Sequence, residues 1–221
     1  METPIRVSAF RSLPPFAQGL ARDFRVRWAL EEAGLPYEEW LLAREDLATD
    51  SYRALQPFGQ VPAIEDDGFG LFESGAIVLY IAQQSEALMP IEPKARARVT
   101  CWAFAALNSI EPRVQSLAEI DFSHADAEWA KLRRPALEEA VRARLTLLAA
   151  RFNGRDYLED RFTAADILMT TVLRFLRHTN LVAQIPRLEA YRRRCEARPA
   201  FQKAMARHMA PFEQHAPVTV N

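Results

Sequence analysis

Gln60-Val61-Pro62-Ala63-Ile64, followed at Glu73-Ser74-Gly75-Ala76-Ile77 by a helix start, decides how this chain is read. Val61 precedes a proline, which pushes it toward an extended conformation. A cis Val61–Pro62 bond turns the chain sharply and leaves the main-chain N–H and C=O of Val61 pointing outward, free to pair with an extended peptide-like ligand. Ala63–Glu65 and Gly70–Phe72 read as hairpin strands around an Asp66-Asp67-Gly68 turn. Ser74 then opens a helix. Its hydroxyl either caps that helix or, with the first free N–H groups, holds a carboxylate. The stretch predicts a backbone-docking edge beside an anion-binding helix end.

Upstream, Ile5, Val7 and Ala9 alternate with Arg6 and Ser8, the period of a strand. Phe16, Leu20, Phe24 and Trp28 then recur four apart, with Arg22, Arg25 and Glu32 largely off that face. This spacing predicts a helix entered at Pro14-Pro15, where proline is tolerated. Gly34 is its expected C-cap, and Pro36 prevents continuation. Tyr37 to Leu42 reads as a second strand, Ala48 to Leu55 as a short helix or turn, and Ser74 to Gln84 as a helix. The order β-α-β-α-β-β-α matches a thioredoxin-like α/β domain over residues 1–84. A linker, 85–93, contains Pro90 and Pro93. From Lys94 on the periodicity is helical only, as in Val99, Trp102, Ala103, Ala106, Leu107 and Ile110, so residues 94–221 are expected to form an all-helical domain.

Composition excludes several function classes. A net charge of −1 gives no general pull toward nucleic acid or a membrane surface. No apolar run approaches the ~20 residues of a membrane helix, and Met1-Glu2-Thr3-Pro4-Ile5-Arg6 has no signal-peptide core, so the chain reads as cytosolic. Cys101 and Cys195 lie far apart, outside any Cys-x-x-Cys motif, and read as buried thiols. His124, His178, His208 and His215 show no metal-ligand spacing, so no metal and no role is assigned to them. Arg192-Arg193-Arg194 and Lys131, Arg133, Arg134 read as solvated helix faces. Thr163-Ala164-Ala165-Asp166 has the form of a capping box, with Asp166 in a structural role.

The chain resembles the glutathione transferase superfamily. The resemblance is carried by Gln60-Val61-Pro62 and Glu73-Ser74, by Arg25-Val26-Arg27-Trp28-Ala29-Leu30-Glu31-Glu32 with Gly34-Leu35-Pro36-Tyr37, and by Gln56-Pro57-Phe58-Gly59-Gln60. Phe162-Thr163-Ala164-Ala165-Asp166-Ile167 and Arg198-Pro199 extend it downstream. It implies glutathione as co-substrate, no metal, and a homodimer. Glutathione presents two carboxylates, one ammonium and two peptide groups. Val61 suits the cysteinyl backbone, Ser74 and its helix end the γ-glutamyl carboxylate, Glu73 the ammonium, and Gln60 a peptide group. A plain N-cap at Ser74 is the competing reading.

Catalysis requires the bound thiol to ionise, and in the superfamily a hydroxyl or thiol between the first strand and first helix stabilises the thiolate. Here that position falls near Leu20-Ala21-Arg22, which has neither, and Leu13 to Gly19 looks inserted, either as a longer loop or as extra turns on the helix. Ser12 is the hydroxyl ahead of Pro14-Pro15 and is the candidate donor. Arg11, Arg22 and amides at the helix start are alternatives, since positive potential also stabilises a thiolate. Phe10, Phe16, Trp102, Phe104 and Asn108 are candidate walls for a hydrophobic electrophile. The resemblance leaves open a glutathione-dependent isomerase, a disulfide or peroxide reductase, and a non-catalytic protein-binding regulator of the same fold.

Overall fold

The computed structural model describes residues 3–214; Met1, Glu2 and His215 lie outside the described residues. β1 (Ile5–Phe10), α1 (Asp23–Ala33), β2 (Tyr37–Leu42), a 3-10 turn (Glu45–Ala48), α2 (Asp50–Leu55), β3 (Ala63–Asp66), β4 (Phe69–Phe72) and α3 (Ser74–Gln83) follow in order. The sheet order is β2-β1-β3-β4, with β1 parallel to β2 and antiparallel to β3. This is the expected thioredoxin-like arrangement. Val7, Ser8 and Ala9 of the central strand are all buried, as a strand covered on both faces requires. The β3–β4 turn uses Asp67 at φ 47 and Gly68 at φ 81, the left-handed pair that a two-residue hairpin needs. Gly34, at φ 70, ends α1 with its N–H on the Leu30 carbonyl.

The structure decides one open choice about α1 and overturns one expectation. Residues 12–22 do not extend the helix. They form turns closed by Ala17 N–H on the Pro14 carbonyl (2.9 Å) and Leu20 N–H on the Ala17 carbonyl (3.0 Å). Gly19, at φ 76, leaves the helical region. Apolar residues four apart therefore mark successive turns here, and Ser12 stands in open chain just after β1 rather than at a helix entry. Arg25, expected off the buried face, is itself buried. So are Asp23 and Arg27, because α1 is covered on several sides.

Downstream are α4 (Pro93–Phe104), a π-helical segment (Ala105–Ile110), α5 (Glu111–Ser123), α6 (Glu128–Arg151), α7 (Ala164–Arg174), α8 (Pro186–Glu196) and α9 (Pro199–Gln214). All are helical, as expected. Pro93, assigned to the linker, instead occupies the first turn of α4, where its missing N–H costs nothing. Glu92 caps that turn, accepting from Lys94 N–H at 2.8 Å and Ala95 N–H at 2.6 Å.

The chain forms two compact units, residues 3–88 with 199–214 and residues 89–198. The last helix therefore belongs with the α/β unit, which sequence boundaries could not show. On α9, Phe201 packs edge-on against Phe24 (5.2 Å) and Trp28 (5.0 Å) of α1.

In the helical unit, Asp166 reaches back to the Thr163 N–H (2.9 Å) and also accepts from Leu158 N–H and Tyr191 Oη, each at 3.0 Å. Burial lifts its pKa to about 6 despite those donors. The capping reading of Asp166 holds. Cys195 is buried, its thiol pushed up to about 12 by burial. Cys101 is exposed, contrary to expectation. Among the described residues no helix is long and apolar enough to cross a membrane, and no group of three His, Cys, Asp or Glu side chains could hold a metal ion.

Candidate functional site

The Val61–Pro62 peptide bond is cis. Val61 points its side chain into a cluster with Leu42 and Tyr52, against which Phe10, Trp40 and Leu47 pack. Among the described residues neither main-chain group of Val61 has a backbone hydrogen-bond partner. Ala63 is registered opposite Phe72. Val61 and Pro62 therefore enter the hairpin at the same end from which Glu73 and Ser74 leave it, and one short edge carries both halves of the candidate site.

Two buried hydroxyls hold that edge, and neither was found from the sequence. The Ala63 N–H donates to Ser8 Oγ (2.7 Å), and the Tyr52 hydroxyl donates to the Gln60 carbonyl (2.6 Å). Ser8 Oγ and Tyr52 Oη are 2.8 Å apart. With the Tyr52 proton committed to Gln60, Ser8 donates to Tyr52. The relay from Ala63 through Ser8 and Tyr52 to Gln60 fixes the residues on either side of Val61–Pro62. Burial raises the Tyr52 pKa, keeping it a neutral donor. The only sequence sign was a serine among the apolar residues of β1. Replacing Tyr52 with phenylalanine strands a buried Ser8 hydroxyl and the Gln60 carbonyl. The expected cost is about 1–2 kcal/mol of stability, with a several-fold loss of ligand affinity at the edge, measured by urea unfolding and calorimetry.

At the helix end the cap reading of Ser74 does not hold. Glu73 occupies the N-cap position with no side-chain cap bond, and Ser74 is the first helical residue. The buried Ser74 Oγ accepts from Arg25 Nη1 at 3.2 Å. An oxygen that accepts from Arg25 keeps its own proton for a second partner. The first α3 ladder bond runs from Ile77 N–H to the Glu73 carbonyl, so the N–H groups of Ser74, Gly75 and Ala76 precede the ladder, as at any helix start. A helix N-terminus, a hydroxyl donor and a buried guanidinium thus converge where an anion is favoured. Arg25, 2% exposed, is the main residue that periodicity missed. Glu73 sits at φ 69, ψ 111, a conformation that costs a non-glycine residue roughly 1–3 kcal/mol and clusters at ligand sites. Gln60 and Glu73 are exposed.

Ser12 and Arg11 are exposed and Arg22 is half-buried at the start of α1. The electrophile candidates divide between the units. Phe10 packs against the Val61 cluster, and Phe16 is 48% exposed on the 11–22 loop. In the helical unit, Trp102 donates its indole N–H to Glu159 (3.1 Å) beneath the Arg151 guanidinium (5.3 Å). Phe104 and Asn108 are exposed, Asn108 within the π-helical segment, a distortion frequent at functional sites.

Comparison with known proteins agrees with this fold. Residues 18–83 match the family described as glutathione S-transferase, N-terminal domain, and residues 120–199 its C-terminal domain. Glutathione S-transferase alpha-3 of Rattus norvegicus is 29% identical over 92% of this chain and 90% of its own length. Glutathione S-transferase A1 of Mus musculus is 30% identical over 80% of each chain. A glutathione transferase structure from Burkholderia graminis, with two glutathione molecules bound per subunit, superposes with a TM-score of 0.78 at 27% identity, covering 91% of this chain and 87% of that one. The chain belongs to the glutathione S-transferase family.

Proposed function

We propose that this protein is a glutathione transferase that conjugates the glutathione thiolate to a hydrophobic electrophile. The observation that carries the reading is the convergence, at one end of the hairpin, of the Val61 main chain, which has no backbone partner among the described residues, with the Arg25–Ser74 contact at the start of α3. The cysteinyl backbone pairs with Val61, and the γ-glutamyl carboxylate takes the Ser74 hydroxyl and the α3 amides. Glu73 meets the ammonium, and the Gln60 side chain meets a peptide group. The sulfur then attacks an electrophilic carbon, the leaving group departs with the bonding pair, and the thiol proton goes to solvent. The relatives' bound glutathione supports the ligand assignment, and a built binding edge favours an enzyme over a purely protein-binding role. Calorimetric titration with glutathione, paired with turnover of an aryl halide, tests the reading. Absence of binding would overturn it.

The thiol step needs stabilisation of the anion. A free thiol has a pKa near ~8.5, and each unit of lowering corresponds to ~1.36 kcal/mol. Ser12 remains the proposed donor, with Arg11, Arg22 and loop amides as the groups that replace it if it fails. Ser12→Ala is expected to raise the bound thiol's pKa and lower turnover near neutral pH with little change in glutathione affinity, the pattern of lost thiolate stabilisation and not of lost uniform binding. Coincident thiolate titration curves for the two proteins would remove Ser12 from the mechanism. Phe10, Phe16, Trp102 and Asn108 are the proposed electrophile contacts, and the cytoplasm the proposed location. The protein is also proposed to be a homodimer, supported by exposed Phe58 (68%) and Phe69 (48%) beside the edge strand β4. A stable isologous interface buries at least ~1,200 Å², and sedimentation at micromolar concentration checks it.

A further inference from the structure

Residues 11–22, between β1 and α1, carry every group proposed to act on the glutathione sulfur. The turns at Pro14–Ala17 and Ala17–Leu20 are local. Arg11 N–H, held by the Leu42 carbonyl at 2.9 Å, ties the β1 end of the loop to the sheet, and Gly19 ties down the end nearer α1. It is buried, and its N–H donates to Nε2 of His208 on α9, 3.3 Å away. A ring nitrogen that accepts carries no proton, so the imidazole proton is on Nδ1. Nδ1 lies 3.1 Å from Asp23 Oδ2 and donates to it. The same carboxylate oxygen accepts from Arg27 Nε at 2.8 Å. Phe24 (5.6 Å) and Phe212 (5.3 Å) meet the ring edge-on and fix its plane. His208, Asp23 and Arg27 are each 1% exposed. Packing α9 on α1 needs none of this polarity, since Phe201, Phe24 and Trp28 already supply an apolar contact. A buried polar chain is costly unless fully paired, and this one ends on a loop amide.

We propose that His208 is a positioning residue for the thiol step: through the Gly19 amide it fixes the 11–22 loop in the place from which Ser12, Arg11 or Arg22 acts on the sulfur. The inference rests on the proposed glutathione chemistry.

The two nitrogens can be separated by substitution. In His208→Asn the amide nitrogen replaces Nδ1 and keeps Asp23, while Gly19 loses its acceptor. In His208→Gln the amide oxygen reaches the Nε2 position and keeps Gly19, while Asp23 loses a donor. His208→Asn is expected to lower kcat roughly tenfold, a misplacement effect, with a weaker thiolate absorbance at neutral pH and little change in glutathione affinity. His208→Gln is expected to retain most of the turnover and thiolate. The reverse order, or equal behaviour of the two variants, would show that His208 serves only the Asp23 contact and overturn the proposal. Hydrogen exchange of the loop peptide, read on both variants without substrate, should be faster in His208→Asn. If wild-type protein binds no glutathione, the functional reading fails, and the exchange result still decides whether His208 holds the loop.

Discussion

Ser74→Ala is expected to weaken glutathione binding by about 1.5–3 kcal/mol, roughly ten- to hundredfold, with the fold retained at a stability cost of about 1–3 kcal/mol from the acceptor that the buried Arg25 loses. The magnitude is that of a hydrogen bond to a charged group. The structure sharpens the expectation in two ways. Ser74 is the first helical residue of α3 and Glu73 holds the N-cap position, so its removal leaves the α3 entry as it was. Its Oγ is held by Arg25 Nη1, which orients the hydroxyl proton away from the guanidinium and toward an incoming carboxylate. Alanine removes the donor and the acceptor for Arg25 together. Calorimetry against glutathione, with thermal unfolding as the control, checks both halves. Unchanged affinity would mean that the carboxylate is held by the α3 amides and Arg25 alone.

The largest effect on stability is expected at Asp23. Its carboxylate joins Arg27 of the same helix to His208 of α9, all within the buried interior. Removing one partner of a buried ion pair costs ~3–5 kcal/mol, because the other charge is left in a poor medium. Asp23→Ala should fall at the lower end of that range for two reasons. Arg27 Nη1 also reaches Glu39 at 2.5 Å, and Asp23 Oδ1 has no partner among the described residues, so its loss relieves one unsatisfied atom. Burial alone would raise Asp23's pKa, but the contacts from His208 and Arg27 outweigh it and hold the carboxyl below the ordinary value of 3.8. A carboxyl with a depressed folded pKa stabilises fully above its unfolded value and loses that contribution as pH falls through the folded one. Urea unfolding at neutral pH and below pH ~4 should therefore show wild type and Asp23→Ala far apart in the first condition and converging in the second.

Much of the hairpin and its flanks was legible in local sequence. The hairpin turn shows in Asp67-Gly68 and the end of α1 in Gly34, because each depends on backbone conformations that few residues adopt. The 11–22 segment stayed open between a longer loop and extra helix turns for a related reason. Apolar spacing reports which side chains face inward, and consecutive turns can satisfy the same spacing as a helix. The conformation of Gly19 broke the pattern, and a glycine followed by Leu20 gives no sign of which choice the chain makes.

By itself the sequence determined the α/β-then-helical order, the sharp turn at Val61–Pro62 ahead of the hairpin and the start of α3 at Ser74. These are properties of neighbouring residues and of periodicity, which act over a few positions. Only the tertiary structure decided the supports. Ser8 meets Tyr52 across 44 positions and Arg25 meets Ser74 across 49, while Gly19 meets His208 across 189. Each support is a polar group that burial makes worthwhile only when its distant partner arrives. Such pairings leave no periodic trace in the chain, and they exist only once the sheet, α1 and α9 have come together.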